Sequence, residues 1–101
     1  MRLSFSSNKL EKLCTDEREM KRKRSDIASR LQLRINALRT ATSLTDLAML
    51  DPSGKWHELL GDRHGQWSGR LSPNWRIIVE PSNDAEGMGV TVLVVELKDY
   101  H

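Results

Sequence analysis

The apolar residues of this chain change their spacing once, near Lys55, from every third or fourth position to every second, and few architectures accommodate such a switch. Before it, Leu10, Leu13 and Cys14 follow the cap-forming run Ser6-Ser7-Asn8, and Ile27, Leu31, Ile35 and Leu38 make a cleaner stripe after Ser25. Both patterns predict helices with one apolar face. The intervening Asp16–Arg24 is almost wholly polar, so the first helix either continues through it exposed or breaks near Thr15 and Asp16. Leu47–Leu50 predicts a short helical turn that stops before Pro52. After the switch, Lys55–Leu60, Gln66–Leu71, Trp75–Glu80 and Gly89–Leu97 read as strands, separated by Gly-, Pro- and Asn-bearing turns short enough for antiparallel hairpins. Arg2–Phe5 also alternates and adds an edge strand. With 101 residues the chain has room for a single domain, 1–101. The expected fold is α+β, an N-terminal strand and two helices packed on an antiparallel sheet.

The longest unbroken apolar runs, Val92–Val95 and Leu47–Leu50, fall far short of the roughly 20 residues that span a bilayer. Met1–Phe5 holds no apolar signal core, and the single Cys14 can make no internal disulfide, so a cytoplasmic protein without membrane association is expected. Cys14 sits on a helix between Leu13 and Thr15, the setting of a small buried hydrophobe rather than of a nucleophile. Charge is unevenly spread: residues 9–39 carry ten Lys/Arg against five Asp/Glu, and residues 40–101 carry five against nine. Much of the excess is the run Lys21-Arg22-Lys23-Arg24, which fits a solvated turn between helices as well as a contact with phosphate or an acidic partner.

A sparser basic set lies in the strand half. Lys55, Arg63, Arg70 and Arg76 occur among three tryptophans, with His57 and His64 nearby. Alternation puts Trp67, Gly69 and Leu71 on one face of their strand and Trp75, Ile77 and Val79 on one face of the next, both toward the core. Arg70 and Arg76 then fall on the opposite face, and an odd-numbered loop would place them side by side across the hairpin. Two adjacent guanidiniums repel unless an anion or carboxylate relieves them. A phosphate clamp is one reading, because guanidinium donors match phosphate oxygens bidentately; pairing with Glu58, Glu80 or Glu96 across the sheet is the other. Histidine titrates near neutrality, with an unperturbed pKa of about 6.5. Metal-free RNA cleavage needs one group to deprotonate the ribose 2′-hydroxyl, another to protonate the 5′-oxygen, and fixed positive charge at phosphorus. His57, His101 and the arginines can fill these roles. No metal-ligand spacing, phosphate-binding glycine loop, nucleophile elbow or dinucleotide fingerprint is present, so neither metal nor cofactor is expected.

Taken in order, the stretch from Trp56-His57-Glu58 through Gly61-Asp62-Arg63 to Gly69-Arg70, then Asn74-Trp75-Arg76-Ile77, then Asp99-Tyr100-His101, resembles the HigB group of plasmid-maintenance killer toxins within the RelE/ParE superfamily. The resemblance covers residues 55–101; the helical half agrees in layout alone. It implies a RelE-like fold and the toxin of a type II toxin–antitoxin pair, an endoribonuclease that enters the 30S A site of the ribosome and cuts translated mRNA. It implies a HigA-like antitoxin as partner and no cofactor. Carried over by position, His57, Asp99, Tyr100 and His101 match the catalytic elements, and Arg63, Arg70 and Arg76 match the basic positions around the scissile phosphate. His57 and His101 are the acid/base candidates, Asp99 would orient a histidine or accept a proton, and Tyr100 would position or stack on a nucleotide.

Two features depart from that pattern. Leu60 stands where some relatives carry a lysine, and the acidic Asn83–Gly87 segment exceeds the tight turn of many relatives and is expected to point away from the ribosome. The low net charge of +2 gives little affinity for free RNA, so the ribosome is expected to position the substrate, with Lys21–Arg24, Arg30, Arg34 and Arg39 as candidate contacts to rRNA or antitoxin. Two alternatives remain at this level: a non-enzymatic ParE-like inhibitor of gyrase, and an inactive antitoxin-binding relative.

Overall fold

The computed structural model describes residues 1–83 and 90–100; the expectations for the acidic segment at 84–87 and for His101 lie outside the described residues. The chain runs β1 (Arg2–Phe5), α1 (Asn8–Thr15), α2 (Glu17–Lys23), α3 (Ala28–Thr40), α4 (Leu47–Leu50), β2 (His57–Glu58), β3 (Trp67–Arg70), β4 (Trp75–Asn83) and β5 (Val90–Asp99), with short 3-10 turns around α4 and before β3. The strands form one sheet in the order β1-β5-β4-β3-β2, and the helices cover one of its faces.

Three details differ from the sequence expectation. The sheet is mixed: β2 to β5 are antiparallel, but β1 lies parallel to β5, with Leu3 opposite Val92 and Phe5 opposite Val94. Parallel neighbours require a long crossover, and here the whole helical half and the hairpins supply it. The helical half holds three main helices rather than two, because the polar segment forms one of its own. Asp16 makes that break: its backbone N–H closes α1 onto the Lys12 carbonyl, while its side chain accepts from the N–H groups of Arg18 and Glu19 and so starts α2. Finally, α3 begins at Ala28 without a side-chain cap; Ser25 does not serve, and the neighbouring Asp26 pairs with Arg24.

The expected apolar stripe is present and buried. Ile27, Leu31, Ile35 and Leu38 meet Leu71, Ile77, Val79, Val92 and Val94 of the sheet side in one core, with Leu47 and Trp56. Cys14 belongs to the same cluster, and burial pushes its thiol up to about 12, which keeps it protonated and non-nucleophilic at neutral pH. Among the described residues no helix is long and apolar enough to cross a membrane.

Candidate nucleic-acid interface

The face of the sheet away from the helices carries the charged side chains, and the hairpin registers decide which of them meet. Arg70 of β3 lies directly opposite Arg76 of β4, which lies directly opposite Lys98 of β5. Three cations therefore form a row across three strands, perpendicular to the chain direction. The adjacent row on the same face holds His57, Ser68, Ile78 and Glu96. His57 and Arg70 are thus diagonal neighbours, a relation that puts side chains within reach when one of them is long. The pairing of Arg70 with Arg76 is the one, of the two arrangements left open by strand alternation, that an odd-numbered loop produces. Lys98 is a member that sequence reasoning passed over, although the alternation Glu96-Leu97-Lys98 carried the signal.

Of the carboxylates that could have neutralised this row, Glu80 and Glu96 are engaged elsewhere, and Glu58, opposite Trp67, falls on the other face of the sheet. Arg63 donates from Nη2 to Glu96 Oε1 at 2.6 Å and from Nη1 to Gln66 Oε1 at 2.8 Å, and Gln66 in turn donates to Glu80 at 3.2 Å. This polar strap runs from the turn before β3 over the middle strands to β5. The row beneath it includes Ser68 and Ile78, both buried although Ile78 stands outside the helix-side core. No carboxylate pairs with Arg70, Arg76 or Lys98 among the described residues. Arg76 is held by backbone carbonyls alone, donating from Nη1 to Ser72 O at 2.5 Å and Trp75 O at 3.0 Å. Its charge stays uncompensated while its position is fixed.

His57 is exposed, and its Nδ1 lies 2.9 Å from the Lys55 carbonyl. A carbonyl only accepts, so Nδ1 carries the hydrogen in this contact, and in the neutral tautomer it selects the lone pair is on Nε2. Tyr100, half exposed, is anchored through its N–H to the Asn74 carbonyl at 2.7 Å, and the Lys98 ammonium lies 5.8 Å from its ring centre. The tyrosine ring, a flat surface available to a base, therefore adjoins the cationic row. Asp99 is opposite Trp75 in register, so the alternation of β5 assigns it to the helix-side face. Leu60 is 84% exposed in the turn after β2, and no charge stands there. Of the residues singled out in the sequence, the fold brings together His57, Arg70, Arg76 and Tyr100, ties Arg63 to Glu96, and directs Asp99 away from the row; His101 lies outside the described residues.

The helical cations divide differently from expectation. Arg34 is 3% exposed and cannot meet rRNA: it donates to Asp51 at 3.0 Å, to Ser53 O at 3.1 Å and to Arg70 O at 2.6 Å. Nothing in the local sequence marks this member of the basic set as a structural one. Lys21, Arg22 and Lys23 pair with Glu17 and Glu19, and Arg24 pairs with Asp26 while stacking 4.1 Å from the Trp75 ring centre. Among the described residues no group of three His, Cys, Asp or Glu is placed to hold a metal ion.

The architecture matches that of RelE/YoeB-like toxin folds. The chain superposes on a YoeB/ParE toxin from Agrobacterium tumefaciens with a TM-score of 0.63 at 22% identity, covering 100% of both chains. It superposes on YafQ from E. coli with a TM-score of 0.61 at 15% identity, covering 98% of this chain and 93% of that one. A chain of the YoeB–YefM complex from Staphylococcus aureus gives 0.59 at 15% identity, over 100% and 98% of the two chains. No protein-family model and no curated protein sequence matches the chain. At such identities the likeness is one of fold.

Proposed function

We propose that this protein is the toxin of a type II toxin–antitoxin pair, a metal-independent endoribonuclease of HigB type that cuts mRNA in the 30S A site of the ribosome, in the cytoplasm. The observation that carries the reading is the uncompensated row Arg70–Arg76–Lys98 beside an exposed imidazole whose free nitrogen is Nε2. In this reading His57 Nε2 takes the proton of a ribose 2′-hydroxyl, the resulting oxygen attacks the adjacent phosphorus, and the bond from phosphorus to the 5′-oxygen breaks. The departing oxygen takes a proton from His101, while Asp99, assigned by the β5 register to the helix-side face, takes no part in the transfer. Arg70 and Arg76 hold the growing negative charge on the non-bridging oxygens, with Lys98 supporting them. Tyr100 stacks on a nucleotide flanking the cut, a contact that tolerates any base. Arg63 was the third basic position suggested by the resemblance; its grip on Glu96 keeps that carboxylate off the row. A HigA-like antitoxin is the proposed partner, in keeping with the YoeB–YefM complex among the structures that share the fold.

The test is induced expression of wild type, His57→Ala and Arg76→Ala, with mapping of mRNA 5′ ends and a plasmid supercoiling readout. The expected result is codon-phased cuts in wild type that fall at least about a hundredfold in His57→Ala, the usual weight of a general base. Altered supercoiling with intact transcripts overturns the nuclease in favour of a gyrase inhibitor.

A further inference from the structure

A second cationic feature lies beyond the sheet face. Between α3, the turn that precedes β2 and the β3–β4 turn there is a cleft of about 390 Å³, lined among others by Arg30, Arg34, Lys55, Arg70, Ser53 and Ser72. No acidic residue lines it. Arg34 forms its base with a charge already balanced by Asp51, whereas Arg30, Lys55 and Arg70 engage no carboxylate among the described residues. Two like charges, Arg30 and Lys55, therefore line one concavity with no acidic residue in its lining.

The surroundings keep them there. Arg34 Nε donates to the Arg70 carbonyl, which fixes the end of β3 at the cleft rim. Lys55 has φ 46° and ψ 44°, a left-handed conformation that a lysine adopts only at some cost and that glycine or asparagine would adopt more readily. Ser72 Oγ accepts from the N–H groups of Asn74 and Trp75, so its own hydrogen is left to donate to a guest. Leu33 and Pro73 add an apolar rim.

We propose that this cleft binds a backbone phosphate of the RNA, with Arg30 and Lys55 as its charged donors and Ser72 as a neutral one. The choice of RNA over another anion rests on the reading of the sheet face as an RNA-cleaving surface, and on one shared residue. Arg70 belongs to the row by its side chain and to the cleft rim by its carbonyl, so a strand crossing the row leaves the sheet over the end of β3 at the mouth of the cleft. A guanidinium beside an ammonium suits a tetrahedral phosphate, and the volume holds a phosphate together with its sugar.

The experiment measures binding of a 2′-O-methylated, non-cleavable single-stranded RNA by fluorescence anisotropy over a range of salt concentrations. Wild type is compared with Arg30→Ala, Lys55→Gly and the control Lys12→Ala, an exposed cation on α1. For single-stranded RNA, deleting one cation that neutralises a phosphate lowers the salt slope by about 0.7. Arg30→Ala and Lys55→Gly are each expected to weaken binding with that change, and Lys12→Ala to leave it alone. Lys55→Gly relieves the left-handed strain, so its thermal midpoint is expected to equal or exceed wild type, which separates a binding defect from a folding defect. Unchanged slopes in both cleft variants overturn the proposal, as does a response of inorganic phosphate or polyglutamate binding to these substitutions without any response of RNA. If the slopes change as expected while His57→Ala still cuts mRNA, the cleft survives and the catalytic reading fails. If His57→Ala abolishes cutting and the slopes do not change, the cleft alone fails.

Discussion

At the scale of single residues, the site is positioned by contacts that sequence periodicity does not record. Strand alternation places Gly69 on the core face with Trp67 and Leu71, but it does not explain a glycine there. The structure does: a Cβ on Gly69 would lie 2.6 Å from the Trp56 ring, against rigid indole carbons rather than a flexible chain end. Trp56 is itself pinned, its indole N–H donating to Asp51 at 3.0 Å, and Asp51 is the carboxylate that balances Arg34. The indole cannot retreat without losing its buried hydrogen bond to Asp51, which leaves an indole N–H unsatisfied. Gly69→Ala is therefore expected to destabilise the fold by about 1–3 kcal/mol, the ordinary range for overpacking. Thermal unfolding checks it; a midpoint equal to wild type would mean that the indole moves freely.

The elements show what a periodic pattern can and cannot carry. α3 was legible because Ile27, Leu31, Ile35 and Leu38 repeat at helical spacing, and β3 and β4 because their alternation is unbroken. α2 was not, since a helix stabilised by side-chain pairs along its exposed surface has no apolar stripe to detect. Its charges, ambiguous in sequence, are mostly satisfied within the helix. Glu19 takes hydrogen bonds from Lys23 and Arg22, which hold its carboxyl down to about 2 from the ordinary 4.5. A carboxylate whose pKa falls on folding adds stability that is complete above the unfolded value and fades as pH drops through the folded one. The advantage of wild type over Glu19→Gln is thus expected to be constant above pH 4.5 and to disappear as pH approaches 2. Urea midpoints of the two proteins across that interval measure it, and a difference independent of pH would assign Glu19 a role other than its charge. β2 is shorter than its alternation suggests for a different reason: of Lys55–Leu60 only His57 and Glu58 pair as strand, because Lys55 turns left-handed and a 3-10 turn starts at Gly61.

For the whole molecule, the sheet separates two kinds of order. One face is sealed by helices and was predictable from apolar spacing; the other is organised by charge, and its arrangement depends on register. Arg76 beside Arg70 was visible in the sequence, whereas Lys98 and the partner each carboxylate chooses were not. That choice decides the electrostatics of the open face. Glu96 is diagonal to Arg76 and shares a strand face with Lys98, yet it is held by Arg63 from across the sheet. Removal of Arg63 frees an anion beside the row. At roughly 6 Å and an effective dielectric of about 20, one such charge opposes phosphate binding by about 1–3 kcal/mol, or about tenfold or more in rate. Arg63→Ala is accordingly expected to reduce RNA cleavage about tenfold, and Arg63→Ala with Glu96→Ala to restore most of it, because the liberated carboxylate is then gone. A direct contact between Arg63 and phosphate gives the opposite pattern: the double variant stays as impaired as the single one. Cleavage assays on the four members of this cycle distinguish an arginine that touches the substrate from one that keeps a carboxylate away from it.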